Sequence, residues 1–206
     1  VGLGSQTTGA SVNTSHTIKG NCCVAIGMAW PNNTVNSATC GGVTMLFAGS
    51  ASNNGSAGNG GLSVYYLQDP PTGTSLTVQF NYSATPSFVS FNSMSYFNVG
   101  SVGTFAQWHG SVGQTVGNTF TGSAIPGGMI VNGISAYGVA SATQSGYTQT
   151  QRYAPPGQGT TVFTVFGDAH TPDGNAAPNF GETYSVTGTW NYSNIALPLG
   201  PIFSAA

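Results

Sequence analysis

The amino-acid sequence predicts an all-β fold, an antiparallel sandwich of two sheets, from three observations. Helical periodicity is absent, and the usual helix formers are scarce: Lys and Arg together number two, and no leucine falls between Leu76 and Leu197. β-Branched and aromatic residues stand in their place, with 11 Phe, 9 Tyr and 3 Trp. Short runs with a period of two recur between clusters of Gly, Pro, Asn and Ser, the pattern of half-buried strands joined by turns.

In chain order, strands are expected at Ser15–Lys19, Cys23–Trp30, Asn36–Thr39, Thr44–Ala48, Leu62–Gln68, Ser75–Tyr82 and Phe88–Phe97, then at Gln114–Phe120, Met129–Tyr137, Tyr147–Tyr153, Thr161–Phe166, Glu182–Thr187 and Trp190–Leu197. In Cys23–Trp30, residues Val24, Ile26, Met28 and Trp30 share one face, while Cys23, Ala25, Gly27 and Ala29 form a second face that is small but still apolar. A strand apolar on both faces belongs at the centre of the fold. Ser75–Tyr82 alternates more plainly: Leu76, Val78, Phe80 and Tyr82 are separated by Thr77, Gln79 and Asn81, so its wet face carries only hydroxyls and amides. Trp30 and Trp190 lie in strand patterns and read as core. The stretch Ser50–Gly61, SASNNGSAGNGG, holds no core residue and reads as an exposed loop, as do APPGQG and HTPDGNAAPNFG. No linker divides the chain and no repeat at a solenoid period is visible. The expected organisation is a connector over residues 1–10, a single sandwich over 11–199 and a tail over 200–206.

Charge is the outlying feature of the composition. The cations are Lys19 and Arg152, and the acids are Asp69, Asp168, Asp173 and Glu182. Neutralising phosphates takes several Lys or Arg, so nucleic-acid binding is excluded, and a polybasic membrane patch fails for the same reason. The longest apolar run, CCVAIGMAW, is far short of the roughly 20 residues of a membrane-spanning helix. The chain begins at Val1 rather than Met, as expected of a processed chain or a piece of a longer one. Three cysteines, Cys22, Cys23 and Cys40, cannot all pair within one chain. A bridge from Cys40 to one of the vicinal pair and three small buried thiols are both open readings.

Several segments together resemble a known family: SHTIKGNCCVAIGMAW, ATCGGVTM, LSVYYLQDPPTGTSLTVQF, FVSFNSMSYFNV and WNYSNIALPL. They are similar to β-sandwich modules of phage minor tail and other virion surface proteins, most of all the Gly-rich modules of mycobacteriophage tail proteins. Ser15, His16 and Thr17 match that family's strand opening, Gly41 and Gly42 its turn, and Pro70, Pro71, Gly73 and Thr74 its Pro-Pro-x-Gly-Thr entry, with Asp69 where Asn is commoner. The resemblance spans roughly residues 11–199 and its motifs are turn and strand signatures, none catalytic. It implies a jelly-roll-like two-sheet antiparallel β-sandwich and a non-enzymatic virion surface protein of a tailed phage, a minor tail protein or adhesion module that contacts the host cell envelope. Capsid decoration or a head fibre is the alternative placement. A surface with so few charges also lacks the repulsion that keeps monomers apart, so a homo-oligomer or assembly with other virion proteins is expected.

Candidate chemistry is sparse. A Ser-His-Asp arrangement requires a histidine backed by a carboxylate; the histidines are His16, His109 and His170, and HGSVG, from His109 to Gly113, does not form the Gly-x-Ser-x-Gly elbow of hydrolases. His16 opens a strand and reads as a structural hydrogen-bonding group. Asp168, Asp173, Asn175 and Glu182 gather oxygen ligands that would suit calcium, although the spacing is not that of an EF-hand and PDG is an ordinary turn. Apart from that calcium reading, no cofactor is expected. Gln107, Trp108 and His109 form a candidate carbohydrate-binding group, with the Trp108 face stacking on a sugar and its neighbours supplying hydrogen bonds. A core or interface role is the plainer reading of that tryptophan. Few titrating groups also imply folding stability that varies little between about pH 5 and 9.

Overall fold

The computed structural model describes residues 6–7, 11–32, 35–112, 115–119, 125–137, 142–147, 150–153, 162–171, 179–186 and 190–202. The first half holds β1 (Gln6–Thr7), β2 (Ser11–Thr17), β3 (Cys22–Trp30), β4 (Val35–Cys40), β5 (Val43–Thr44), β6 (Leu46–Ser52), β7 (Gly61–Gln68), β8 (Ser75–Tyr82) and β9 (Phe88–Tyr96). The second holds β10 (Val99–Val102), β11 (Ala106–Val112), β12 (Thr115–Thr119), β13 (Met129–Tyr137), β14 (Ala142–Tyr147), β15 (Thr150–Tyr153), β16 (Val162–His170), β17 (Asn179–Val186) and β18 (Trp190–Pro201). Every pairing is antiparallel, and the only helical elements among the described residues are two 3₁₀ turns at Asn53–Gly55 and Ala57–Asn59.

Within each half the strands divide between two sheets. In the first half the orders are β1-β9-β3-β7-β6 and β2-β8-β4-β5. In the second they are β10-β18-β13-β16-β15, with β11 also on β18, and β12-β17-β14. The five-stranded sheet of the first half is covered on both faces. Val24, Ile26 and Met28 of β3 pack with Val131, Phe166, Ile195 and Leu197 of the second half. Cys23, Ala25 and Ala29 pack with Ala38, Val78 and Phe80 of the four-stranded sheet. These contacts alone therefore stack three layers where a sandwich of two sheets was expected. The cause is local: both faces of β3 are apolar, so a cover on one face would leave the other wet.

The register exposes a relation between the halves. β3 and β13 are both nine residues long, and aligning Cys22–Trp30 on Met129–Tyr137 places β7 on β16 and β9 on β18. The irregularities coincide as well. β6 bulges against β7 between Phe47 and Gly49, and β15 bulges against β16 between Gln151 and Tyr153. β4 bulges between Val35 and Ser37 opposite Tyr82, and β14 between Gln144 and Gly146 opposite Tyr184. A bulge is a specific backbone device, and two at matched places in two ladders mark a structural repeat. Among the described residues β5 and β10 have no counterpart.

The two repeats meet face to face about an approximate twofold axis along β3 and β13. Equivalent residues touch across it: the rings of Trp30 and Tyr137 stack with centroids 5.3 Å apart. A Cβ on Gly133 would lie 3.3 Å from Ile26 Cγ2, its own equivalent, so the absent side chain lets the sheets close. Ser90 of β9 meets Thr164 of β16, whose hydroxyl donates to it at 2.9 Å.

Turn chemistry agrees with the residue types. Gly41 and Gly42, at φ +58° and +83°, form the two-residue hairpin between β4 and β5, a geometry that favours glycine at both positions. Asp69 sits at φ +50°, the left-handed region that Asn and Asp tolerate best, which accounts for either residue before Pro-Pro. The segment Ser50–Gly61 is a correction to the loop reading. Asn53 is fully buried, and its Oδ1 accepts hydrogen bonds from Ser135 at 2.7 Å and Ser193 at 2.8 Å, which anchors the first repeat to the second.

Candidate functional site

Gln107, Trp108 and His109 lie on β11, an edge strand along β18. Successive strand residues point to opposite faces. Trp108 is half-buried and packs with Ala106 against Ile130 and Ala196. Gln107 and His109 are exposed, and the His109 ring lies against Gly55 of the first repeat. The structure does not bring the three side chains to one surface.

Of the acidic group, Asp168 lies on β16, and Glu182 on β17 in a different sheet. Asp173 and Asn175 fall outside the described residues, as does the Glu182 side chain. Asp168 is only 2% exposed. Its Oδ2 accepts from Arg152 Nε at 2.7 Å and from the Tyr96 hydroxyl at 2.9 Å. A guanidinium on the same oxygen repels a cation, so Asp168 is engaged in a way that does not favour calcium. No group of three or more His, Cys, Asp or Glu side chains suited to a metal occurs among the described residues.

Tyr96 ends β9 of the first repeat, while Arg152 and Asp168 belong to the second. Their cluster is thus a polar latch across the repeat interface. Sequence reasoning missed it because the partners are 16 and 72 residues from Asp168 along the chain. The one available signal was that Arg152 is one of two cations in the protein. Burial, together with the Asp168 charge, pushes the Tyr96 phenol well above its ordinary range, and the hydrogen bond to Asp168 holds Arg152 protonated. Two cavities flank the latch. One of about 160 Å³ is lined by Met94, Met129, Arg152 and Asp168, and one of about 270 Å³ by Phe97, Asn98, His170 and Leu199; Ser95, Tyr96 and Met129 border both.

His16 and the three cysteines are structural in setting. His16 is 3% exposed and reaches from β2 to the facing sheet, where Nδ1 lies 2.9 Å from Ser93 Oγ and Nε2 lies 3.4 Å from Ser95 Oγ. Burial lowers its pKa to about 4, so the imidazole is neutral at pH 7. Its bonding role matches the sequence reading, with the partner on the opposite sheet rather than an adjacent strand. The three cysteines are buried free thiols. Burial pushes Cys22 up to about 12, and Cys23 is raised first by its hydrogen bond with Cys40 and then by burial.

Compared with known proteins, this chain matches no family model, no curated protein and no solved structure.

Proposed function

We propose that the chain is a non-enzymatic structural or accessory protein of a tailed-phage virion surface, a minor tail protein or adhesion module that works as part of an assembly and contacts the host envelope. The observation that carries the assembly reading is a difference between equivalent edges. Leu46 and Phe47 at the start of β6 are 56% and 57% exposed, and neighbouring Val43 is 48% exposed. The matched positions on β15 are Thr150 and Gln151. Large apolar residues on an unprotected sheet edge favour association, and proteins that stay monomeric usually blunt such edges with charge. Here charge is nearly absent from the whole chain.

The finer fold assignment belongs with this reading. Lettering the first repeat B to I as β1, β2, β3, β4, β5, β7, β8 and β9, its sheet orders become B-I-D-G and C-H-E-F, with β6 added beside G. That ordering supports a jelly roll, and its recurrence in β11 to β18, with F as the one strand lacking a counterpart among the described residues, supports two of them in tandem, an architecture at home in virion proteins. The resemblance of the sequence motifs to phage tail modules supplies the setting.

The test is immunogold labelling and mass spectrometry of purified particles of a phage that encodes the chain. Label on the tail is the expected outcome. Label on the head would move the protein to capsid decoration or a head fibre, and particles lacking it would defeat the virion reading.

A further inference from the structure

The repeat supplies a comparison that singles out one place on the molecule. A twofold interface has two equivalent ends, and a duplicated unit would fill both alike. At one end Tyr66 of β7 and Ala48 at the β6 bulge join the apolar core, with Phe105 packed beside them. At the other end the equivalent positions hold Asp168 and Arg152, and the Tyr96 hydroxyl joins them from β9. The first end is closed by apolar side chains, whereas the second places three polar groups on the smaller cavity, with Tyr96 bordering the larger one as well.

We propose that this cleft binds a neutral sugar ring, such as the terminal or branch residue of a glycan. Its size fits one ring: the larger cavity is about 270 Å³, below the roughly 300–1,000 Å³ that drug-sized ligands occupy. Its charge argues for neutrality, because the Arg152 guanidinium is already compensated by Asp168. Its mouth offers what a sugar presents in return. Phe97 is 69% exposed, an apolar face against which ring C–H groups can lie. His170, also exposed, lines the same cavity, and Asn98 adds an amide. The Arg152 side chain, 37% exposed and tethered through Nε, stands beside the smaller cavity as a preoriented donor group. The sugar site stands independently of the assembly reading: a cleft that ignored sugars would leave virion placement untouched.

The experiment uses the whole chain, with saturation-transfer NMR and titration calorimetry against glucose, galactose, mannose, arabinose and glucuronate. At least one neutral sugar should bind saturably below roughly 10 mM, within the weak range expected of a single ring. Phe97→Ala and His170→Ala should each weaken that binding by about tenfold, one good contact's worth. Both residues are exposed, so thermal melts of the variants should match the parent. Trp108→Ala, which alters the other candidate surface, should leave the affinity unchanged. Absence of saturable binding by all four neutral sugars would overturn the proposal, as would affinity unmoved by Phe97→Ala and His170→Ala, loss confined to Trp108→Ala, or tighter binding of glucuronate.

Discussion

Tyr66 and Asp168 occupy equivalent rungs of β7 and β16, and Ala48 and Arg152 are the bulged residues of β6 and β15. One backbone arrangement thus carries an apolar closure in the first repeat and, in the second, a buried carboxylate paired with a partly exposed guanidinium. The ladder constrains where side chains point, and the interface tolerates either chemistry provided each end is complete. Hydrophobic contact suffices at the first end, whereas at the second the carboxylate needs both the guanidinium and the Tyr96 hydroxyl.

The largest effect should come from the shared core. Phe166 and Val64 are equivalent, both fully buried against the opposite repeat. Phe166→Ala should cost about 4 kcal/mol and Val64→Ala about 2 kcal/mol, since transfer and cavity terms both scale with the volume removed. Urea denaturation would measure both. Equal costs would mean that the second repeat relaxes around its larger cavity, which would end the equivalence in packing.

Next in size is the latch. Arg152→Ala leaves a carboxylate that is 2% exposed without its counter-charge and should cost about 3 kcal/mol. The double variant Arg152→Ala with Asp168→Tyr installs the first repeat's residues in the second. It should recover to within about 1 kcal/mol of the parent, because a well-packed apolar replacement for a buried pair is often neutral. A double variant as unstable as Arg152→Ala would show that the two ends are not interchangeable.

A smaller effect separates the repeats by pH. His16 of the first repeat is buried, whereas His109 and His170 of the second are exposed. With a folded pKa of about 4 against an ordinary 6.5, His16 binds its proton more readily in the unfolded chain. Its contribution is therefore complete above pH 6.5, and stability falls as the pH drops from there toward 4. At pH 5 the loss should be about 2 kcal/mol, at 1.36 kcal/mol per unit. The slope expected here departs from the flat profile expected from composition: charge is scarce, but one imidazole is buried where protonation is unfavourable. Melts of His16→Gln across pH 4–7 should lose the slope, and an unchanged slope would place the titration elsewhere.

How much of this was legible in the sequence follows from the range of the interactions. Ser75–Tyr82 and Met129–Tyr137 were read with their observed bounds, because alternation and flanking turns are local signals. β10 and β11 were missed, since Gly103 and the polar neighbours of Trp108 obscure the pattern. The central position of β3 was visible in its two apolar faces, but the second covering sheet was not. The repeat escaped notice because ladder geometry is matched while identities are not, as Ile26 against Gly133 and Tyr66 against Asp168 illustrate. The latch, the Asn53 anchor and the flanking cavities depend on residues distant in the chain, so no spacing in the sequence announced them.

The smallest effect on folding is the most informative about assembly. Leu46→Thr with Phe47→Gln writes the second repeat's edge residues onto the first. Both side chains are more than half exposed, so folding stability should shift by no more than about 1 kcal/mol, most of it from the Phe47 ring contact with Tyr65 at 5.2 Å. Association should respond differently, because transfer of exposed Leu and Phe into an interface is worth roughly 25 cal/mol per Å² of apolar surface covered. If β6 is the contact edge, the parent should self-associate in sedimentation velocity as its concentration rises, while the double variant remains monomeric at the same concentrations. A parent and variant that sediment alike would show that the apolar edge is not used between copies, and would leave the difference between β6 and β15 without a role in assembly.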